Sequence, residues 1–504
     1  MWAFVVVFCA LVLIYWWKNF ARIPGPNFPN GPLGLPLIGY VPVFTEKNIL
    51  VGLDKAHDQY GEVMSVNLGP SPRMVIIGDY QVLKEVFKEE SSTFRPVEMN
   101  WGNAYFRSGN GYDSRGLLFS QGQEWTEQRR FALRRLRDFG MGKSSMEELI
   151  QEEIRQLCQK LDKQLNQPLK VDLTYNLSVV NALWTVITGS RLSLDDPKLI
   201  ELVVKIDELM EMSGNVNLVQ MFPWTRHIIP ELSGWNKSKE IMYGLINFVA
   251  KDIKEHQDNF EANKEMLQEN PNDFIDAFLA KIQESPESSS FHGQLGINNL
   301  KAGLLDLLFA GIETTSTALC WSTLYMIKYP DIQRKVQNEI FKYVGKSRPV
   351  NLDDKPNLPF TEAVIQEVLR ITCIGPLGIP HCAQTDIKVG NLWIPQGTSI
   401  MPNLHRITRN PAAFPEPNNF KPERFLDSQG KYCKIESNIP FSIGKRDCLG
   451  KSLALAELFL FFASLMQRYS FKSVHDDLSR VDLEPKVNFT QAPQPFDVII
   501  SKLE

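Results

Sequence analysis

Ten residues near the C-terminus carry the most specific chemistry in this chain: Phe441, Ser442, Ile443, Gly444, Lys445, Arg446, Asp447, Cys448, Leu449 and Gly450. A lone cysteine in an apolar region is ordinarily a buried structural residue. Cys448 differs in its company. Gly444 and Gly450 let the backbone pass close to a flat macrocycle. Arg446 can pair with a carboxylate on the rim of such a ring. A helix is expected from about Lys451, and its N-terminus stabilises a thiolate. A thiolate bound to iron pushes electron density onto the metal and favours O–O cleavage.

A second cluster suits oxygen chemistry. Ala310, Gly311, Ile312, Glu313, Thr314 and Thr315 lie inside an expected helix over 297–328. Glycine and threonine are individually unfavourable in mid-helix, and such conflicts are expected where function overrides propensity. Gly311 leaves room for a small molecule. Glu313 and Thr314 supply an acid and a hydroxyl for relaying protons. The alternative is a packing glycine beside a threonine bonded back to its own helix.

Three further groupings are weak alone. Glu367 and Arg370 are three apart on an expected helix and can pair, though a solvated surface pair is the default. Trp125 and Arg129 share a helical face and present N–H donors suited to carboxylates. His381 follows Ile379 and Pro380 and reads as an ordinary satisfied histidine unless context says otherwise.

The segment 441–450 matches F-x-x-G-x-R-x-C-x-G at every fixed position. It thereby resembles the haem-binding signature of the cytochrome P-450 family. The chain looks most like the animal microsomal drug and steroid hydroxylases, from its proline hinge nearly to its C-terminus. The resemblance implies a mainly α fold with a small β portion, a triangular helical prism around haem b. It implies Cys448 as axial iron ligand, with Arg446, Trp125, Arg129 and His381 holding the propionates. Thr314 and Glu313 become the proton relay. Arg424, in Pro422-Glu423-Arg424-Phe425, joins Glu367 and Arg370 in a buried structural triad. Asp447 departs from the branch, which usually has a neutral or basic residue beside the ligand.

The implied reaction inserts one atom of O2 into a lipophilic small molecule: a steroid, terpenoid, fatty acid or foreign compound. No nicotinamide or flavin site is visible, since Gly109 and Gly111 lack the third glycine at Ser114 and any strand-to-helix switch. Electrons are therefore expected from another protein, which the resemblance implies is a membrane-bound, NADPH-dependent diflavin reductase, sometimes assisted by a cytochrome b-type donor. Arg129, Arg130, Arg134, Arg135 and Arg137, with Lys445 and Lys451, form a basic surface suited to an acidic donor. Two rivals are a thiolate-haem isomerase or dehydratase and a non-enzymatic haem sensor. The acid–threonine pair argues against both.

The N-terminus reads as a membrane address. Trp2 to Trp17 carry no charge, Tyr15, Trp16 and Trp17 make an interfacial belt, and Lys18 and Arg22 follow. A cleaved signal would have a basic region first and a small-residue exit. Residues 1–22 are therefore expected to anchor the chain in the endoplasmic reticulum membrane. Residues 23–39, rich in proline and glycine, form a stiff hinge. Residues 40–504 form the catalytic domain on the cytosolic side.

Composition agrees with one large core: 504 residues, 43% hydrophobic, net charge -4, nothing pointing to nucleic acid. Seven widely spaced cysteines make no disulfide or zinc framework. Apolar spacing predicts helices over 122–137, 173–188, 197–213, 237–262, 331–344, 360–372 and 451–468, and one from Ser145 with Glu148 as a capping box. Strands are expected at 62–68, 74–77, 387–394 and 486–500. Residues 284–290 read as a loop. By resemblance, residues 96–119, 209–222, 374–379 and 492–496 line the pocket.

Overall fold

The computed structural model describes residues 6, 7, 10, 11, 14, 16, 23–35, 38–69, 72–97, 101–108, 113–140, 144–213 and 218–503. Most of the expected anchor thus lies outside the described residues. Val6, Val7, Leu11 and Ile14 within it are helical and exposed.

Among the described residues, the helices that carry most of the core are α1 (Gly122–Asp138), α2 (Ser144–Leu161), α3 (Asp172–Thr188), α4 (Pro197–Ser213), α5 (Trp235–Ala262), α6 (Phe274–Glu284), α7 (Gly293–Lys328), α8 (Pro330–Tyr343), α9 (Pro359–Thr372) and α10 (Lys451–Arg468). In α1 the buried residues Trp125, Gln128, Ala132 and Leu136 recur at three and four, so one stripe faces the core while Arg130, Arg134 and Arg137 face water. In α2 Ile150, Ile154, Leu157 and Leu161 are all buried, but Ser145 lies inside the helix and does not cap it.

The central element is α7. It spans 36 residues and is buried on nearly every side. Its length and hydropathy would suit a membrane crossing, yet 61% of its apolar window is enclosed by protein. It is a core helix, and its apolar positions join those of α2, α3, α9 and α10 in one continuous core.

Strands are short. β1 (Val63–Val66) and β2 (Met74–Ile77) pair antiparallel, Val63 opposite Ile77. A strand of two residues, β3 (Pro168–Leu169), edges a separate sheet. β4 (His381–Cys382), β5 (Ile387–Val389), β6 (Leu392–Ile394) and β7 (Ser399–Pro402) follow. The main sheet runs β1-β2-β7-β4, with β2 parallel to β7. The expected strand at 387–394 is a hairpin, β5 and β6, folded at Gly390 with φ 56°. The expected strand at 486–500 is three: β9 (Pro485–Val487), β10 (Gln491–Pro493) and β11 (Val498–Lys502), the last lying between β3 and β8 (Tyr469–Ser473). Turns at Asn488–Thr490 and before Val498 break the run.

Candidate active site

The cysteine loop is a folded turn. Ser442 donates to the Ile439 carbonyl, Asp447 to Gly444, and Cys448 to Phe441 at 3.0 Å. Gly444 adopts φ 85°, and a Cβ there would sit 2.6 Å from the Phe87 carbonyl, so only glycine fits. The chain then enters α10 with Gly450 as N-cap. Burial pushes the Cys448 thiol up. The Gly450 N–H bonded to its sulfur works against this, Asp447 adds to it, and Arg129 and Lys451 oppose it. Cys448 is exposed to a cavity of about 300 Å³.

That cavity separates the loop from α7. Cys448, Leu449 and Gly450 form one wall, and Gly311, Thr314 and Thr315 the opposite one. Gly311 serves packing as well as space: a Cβ would meet Leu183 of α3 at 2.5 Å. The Thr314 hydroxyl donates to the Ala310 carbonyl at 2.7 Å, so toward the cavity its oxygen is an acceptor. Glu313 does not line the cavity. Its carboxylate accepts from Thr490 at 3.3 Å and Thr317 at 3.4 Å, and burial raises its pKa. Of the expected acid–hydroxyl pair, the hydroxyl faces the cavity and the acid faces away. Neighbours in a helix point about 100° apart, which explains the split.

One end of the cavity is strongly cationic. Arg446 bonds only to carbonyls, those of Thr93, Leu117 and Ser120. Arg95 bonds to those of Leu118, Ile379 and Pro380. Burial drives Arg95 down to about 9 and Arg446 to about 7, in each case with further push from neighbouring arginines. Guanidinium does not give up its proton in proteins. Both guanidiniums are therefore buried cations held by carbonyl oxygens, with the Asp306 carboxylate acting on Arg446 against the shift. Arg446 stacks over Trp125 at 3.9 Å, and the Trp125 Nε1 is buried with no acceptor. His381 is neutral, driven well down by burial and Arg95, and its Nδ1 donates to the Ser92 carbonyl at 2.7 Å. A flat ring carrying two carboxylates fits this end: it would supply the missing anions and the missing acceptor for Trp125.

Arg129 is placed differently from the expectation. It lines the cavity, but its Nη2 donates to both the backbone carbonyl and the carboxylate of Asp447, each at 2.8 Å. Arg95 was missed in the sequence, where Phe94-Arg95-Pro96 carries no signature. Asp306 was also missed. Buried in α7, it pairs with Arg107 at 2.6 Å and takes the N–H groups of Leu117 and Leu118, pinning that segment over the cavity.

Away from the cationic end the lining is mostly apolar. Ile374, Gly375, Gly378 and Ile379 contribute as expected from 374–379. Among the described residues of 96–119 only Leu117 and Leu118 do so, and among those of 209–222 only Met210. Nothing from 492–496 lines it; Phe489 and Thr490, on the turn before β10, take that place. Tyr105 and Phe106 instead pack on Trp235. Tyr112 and the side chain of Trp101 lie outside the described residues.

Behind this site Glu367, Arg370 and Arg424 meet. Arg370 donates to both Glu367 oxygens at 2.6 and 2.8 Å, and Arg424 to one at 3.0 Å. The Lys421 N–H adds a fourth bond to the carboxylate. Glu367 and Arg370 are fully buried, so the network is a satisfied internal ion group rather than a surface pair.

With this geometry in view, similarity to known proteins is informative. The family model described as Cytochrome P450 matches residues 29–500. Cytochrome P450 2J3 of Rattus norvegicus is 36% identical, over 97% of this chain and 94% of its own length. Cytochrome P450 2J5 of Mus musculus is 37% identical over 92% and 89%. Cytochrome P450 2L1 of Panulirus argus is 33% identical over 95% of both.

Proposed function

This chain belongs to the cytochrome P450 family, a haem b monooxygenase by that membership, and from this premise we propose that it hydroxylates a lipophilic small molecule with electrons from an NADPH-dependent diflavin reductase. The observation that carries the reading is the cavity itself. It has a cysteine sulfur on one wall, a threonine hydroxyl on the other, uncompensated arginines at one end and apolar side chains elsewhere.

Cys448 would hold the iron. Arg95, Arg446, His381 and Trp125 would hold the two propionates, with Arg129 acting through Asp447. Bound haem supplies O2 binding and reductive O–O cleavage, which the thiolate favours. The protein's own share is positioning and proton control. Ile374, Ile379, Leu369 and Phe489 exclude water and orient an apolar substrate. Thr314 Oγ, with its proton committed to Ala310, accepts a hydrogen bond and so holds a water where a proton is needed.

Arg130, Arg134 and Arg137 are exposed on α1, whose Arg129 touches the residue before Cys448. Their charge supports docking of an acidic electron donor on this face, with the reductase as principal donor and a cytochrome b-type protein as a second. The apolar N-terminus, with exposed Val6, Val7, Leu11 and Ile14, supports a single anchor in the endoplasmic reticulum membrane.

The test is spectroscopic. The reduced, carbon-monoxide-bound protein is expected to show the strongly red-shifted main band of a thiolate ligand. Cys448→His is expected to abolish that shift. An unshifted wild-type band, or a shifted band in the mutant, refutes the assignment.

A further inference from the structure

A second cluster of chemistry-bearing side chains lies outside the haem cavity, where α5 meets α6. His256 on α5, with Asp273 and Asp276 at the start of α6, each offer one ligating atom, and these atoms lie within 4.8 Å of one another. None of the three lines the cavity. The imidazole is held as a metal ligand would be. Its Nδ1 lies 2.8 Å from the Asp252 carbonyl and donates its proton there, which aims Nε2 at Asp273 Oδ2, 3.1 Å away. Two lone pairs cannot face each other so closely, so a proton or a metal ion must lie between them. A carbonyl bonded to the far ring nitrogen is the usual support of a metal-bound histidine. Asp273 caps α6 with Oδ1, which takes the Asp276 N–H at 2.9 Å, and this leaves Oδ2 for His256. Gly189, at the end of α3, closes over that oxygen: a Cβ there would stand 2.9 Å from it.

A proton on Nε2 satisfies Asp273 but not the cluster. Asp276 is only 1% exposed. Its Oδ2 takes two long bonds from Asn272, each 3.3 Å, and its Oδ1 is buried with no hydrogen-bond donor among the described residues. Among those residues no lysine or arginine pairs with either carboxylate; Lys198 is committed to Asp252, one turn earlier on α5, at 2.6 Å. One imidazolium against two buried carboxylates leaves a negative charge over. Burial, with Asp273 beside it, accordingly pushes the Asp276 carboxyl up. A divalent cation would balance both carboxylates and give Asp276 Oδ1 a partner. We propose that His256, Asp273 and Asp276 form a zinc-binding site that clamps α5 to α6. His256 Nε2 and one oxygen from each carboxylate are the ligands, and water fills the fourth position. An imidazole among the ligands favours zinc over magnesium or calcium, which take oxygen. Binding releases the Nε2 proton to solvent, which reaches the 16% of the His256 side chain left exposed, and nothing is oxidised or reduced. The site does not depend on the haem reading.

The test uses the full-length holoenzyme, cleared of loose metal with a chelator, and zinc chloride alone. Calorimetric titration of the wild type is expected to show one tight equivalent per chain. His256→Gln and Asp276→Asn are each expected to weaken it by about tenfold or more. X-ray absorption at the zinc edge is expected to show nitrogen and oxygen ligands at about 2.0–2.1 Å, with the outer scattering of a single imidazole. Zinc is expected to raise the thermal unfolding midpoint of the wild type and not that of Asp276→Asn. No tight equivalent, equal binding by wild type and both variants, or a spectrum with sulfur or several imidazoles overturns the site and marks the metal as adventitious. Should the variants fail to fold, the wild-type absorption spectrum decides alone. A wild-type protein without the thiolate band would refute the haem reading and leave the zinc result standing.

Discussion

Arg129 donates to both the backbone carbonyl and the side-chain carboxylate of Asp447, the residue directly before Cys448. The acid that stood out in the sequence as a departure is thus paired with an arginine 318 residues away in the chain. The pair is partly exposed, so its contribution to stability is small. Its consequence is electrical. Asp447→Asn removes a negative charge near the Cys448 sulfur and frees Arg129. The haem midpoint potential is expected to rise by roughly 40 mV, about 1 kcal/mol for a one-electron couple. Spectroelectrochemical titration of both proteins measures it; a fall in potential would show that the freed arginine turns away from the site.

Thr314 lines the same cavity as Cys448. Thr314→Val keeps the shape and removes both the acceptor toward the cavity and the bond to Ala310. Haem content and substrate binding are expected to change little. The ratio of hydroxylated product to NADPH consumed is expected to fall severalfold, with hydrogen peroxide making up the difference. Unchanged coupling would make Thr314 only a helix residue.

A pH effect on stability should arise far from the haem site. Burial alone would lower His256, but the Asp273 hydrogen bond and charge, with the Asp252 carbonyl, raise it to about 9. Nε2 lies 3.1 Å from the Asp273 carboxylate. Because the folded value exceeds the unfolded one, the stabilisation is complete below about pH 6.5 and is lost as pH rises through 9. Relative to His256→Gln, the wild type is expected to lose about 2 kcal/mol between pH 6 and 10. Denaturant unfolding of both proteins across that range measures it, and parallel curves would show that the ion pair does not form.

Truncation of residues 1–22 should separate membrane attachment from haem binding, since no haem-site residue is removed. Haem incorporation is expected to persist and vesicle binding to weaken. It should not vanish, because Leu218, Trp224, Ile228 and Leu232 are exposed on the segment between α4 and α5. Co-sedimentation with phospholipid vesicles reads both changes. Equal binding by full-length and truncated chains would place attachment elsewhere.

The sequence by itself determined the family and the helix pattern and singled out Cys448 for its loop, because these rest on local spacing. The cysteine loop is a contiguous turn with glycine where φ is positive, and the helical stripes are set by a repeat of 3.6 residues. It likewise named Glu367, Arg370 and Arg424, through two short motifs. Only the tertiary structure decided which side chains share the cavity. Arg95 carries no local signal; what distinguishes it is burial without a counter-charge, a property created when distant segments pack. Arg129 turned to Asp447 and Glu313 turned to Thr490 for the same reason: a side chain's partner is settled by what the fold brings within reach, not by its neighbours in the chain.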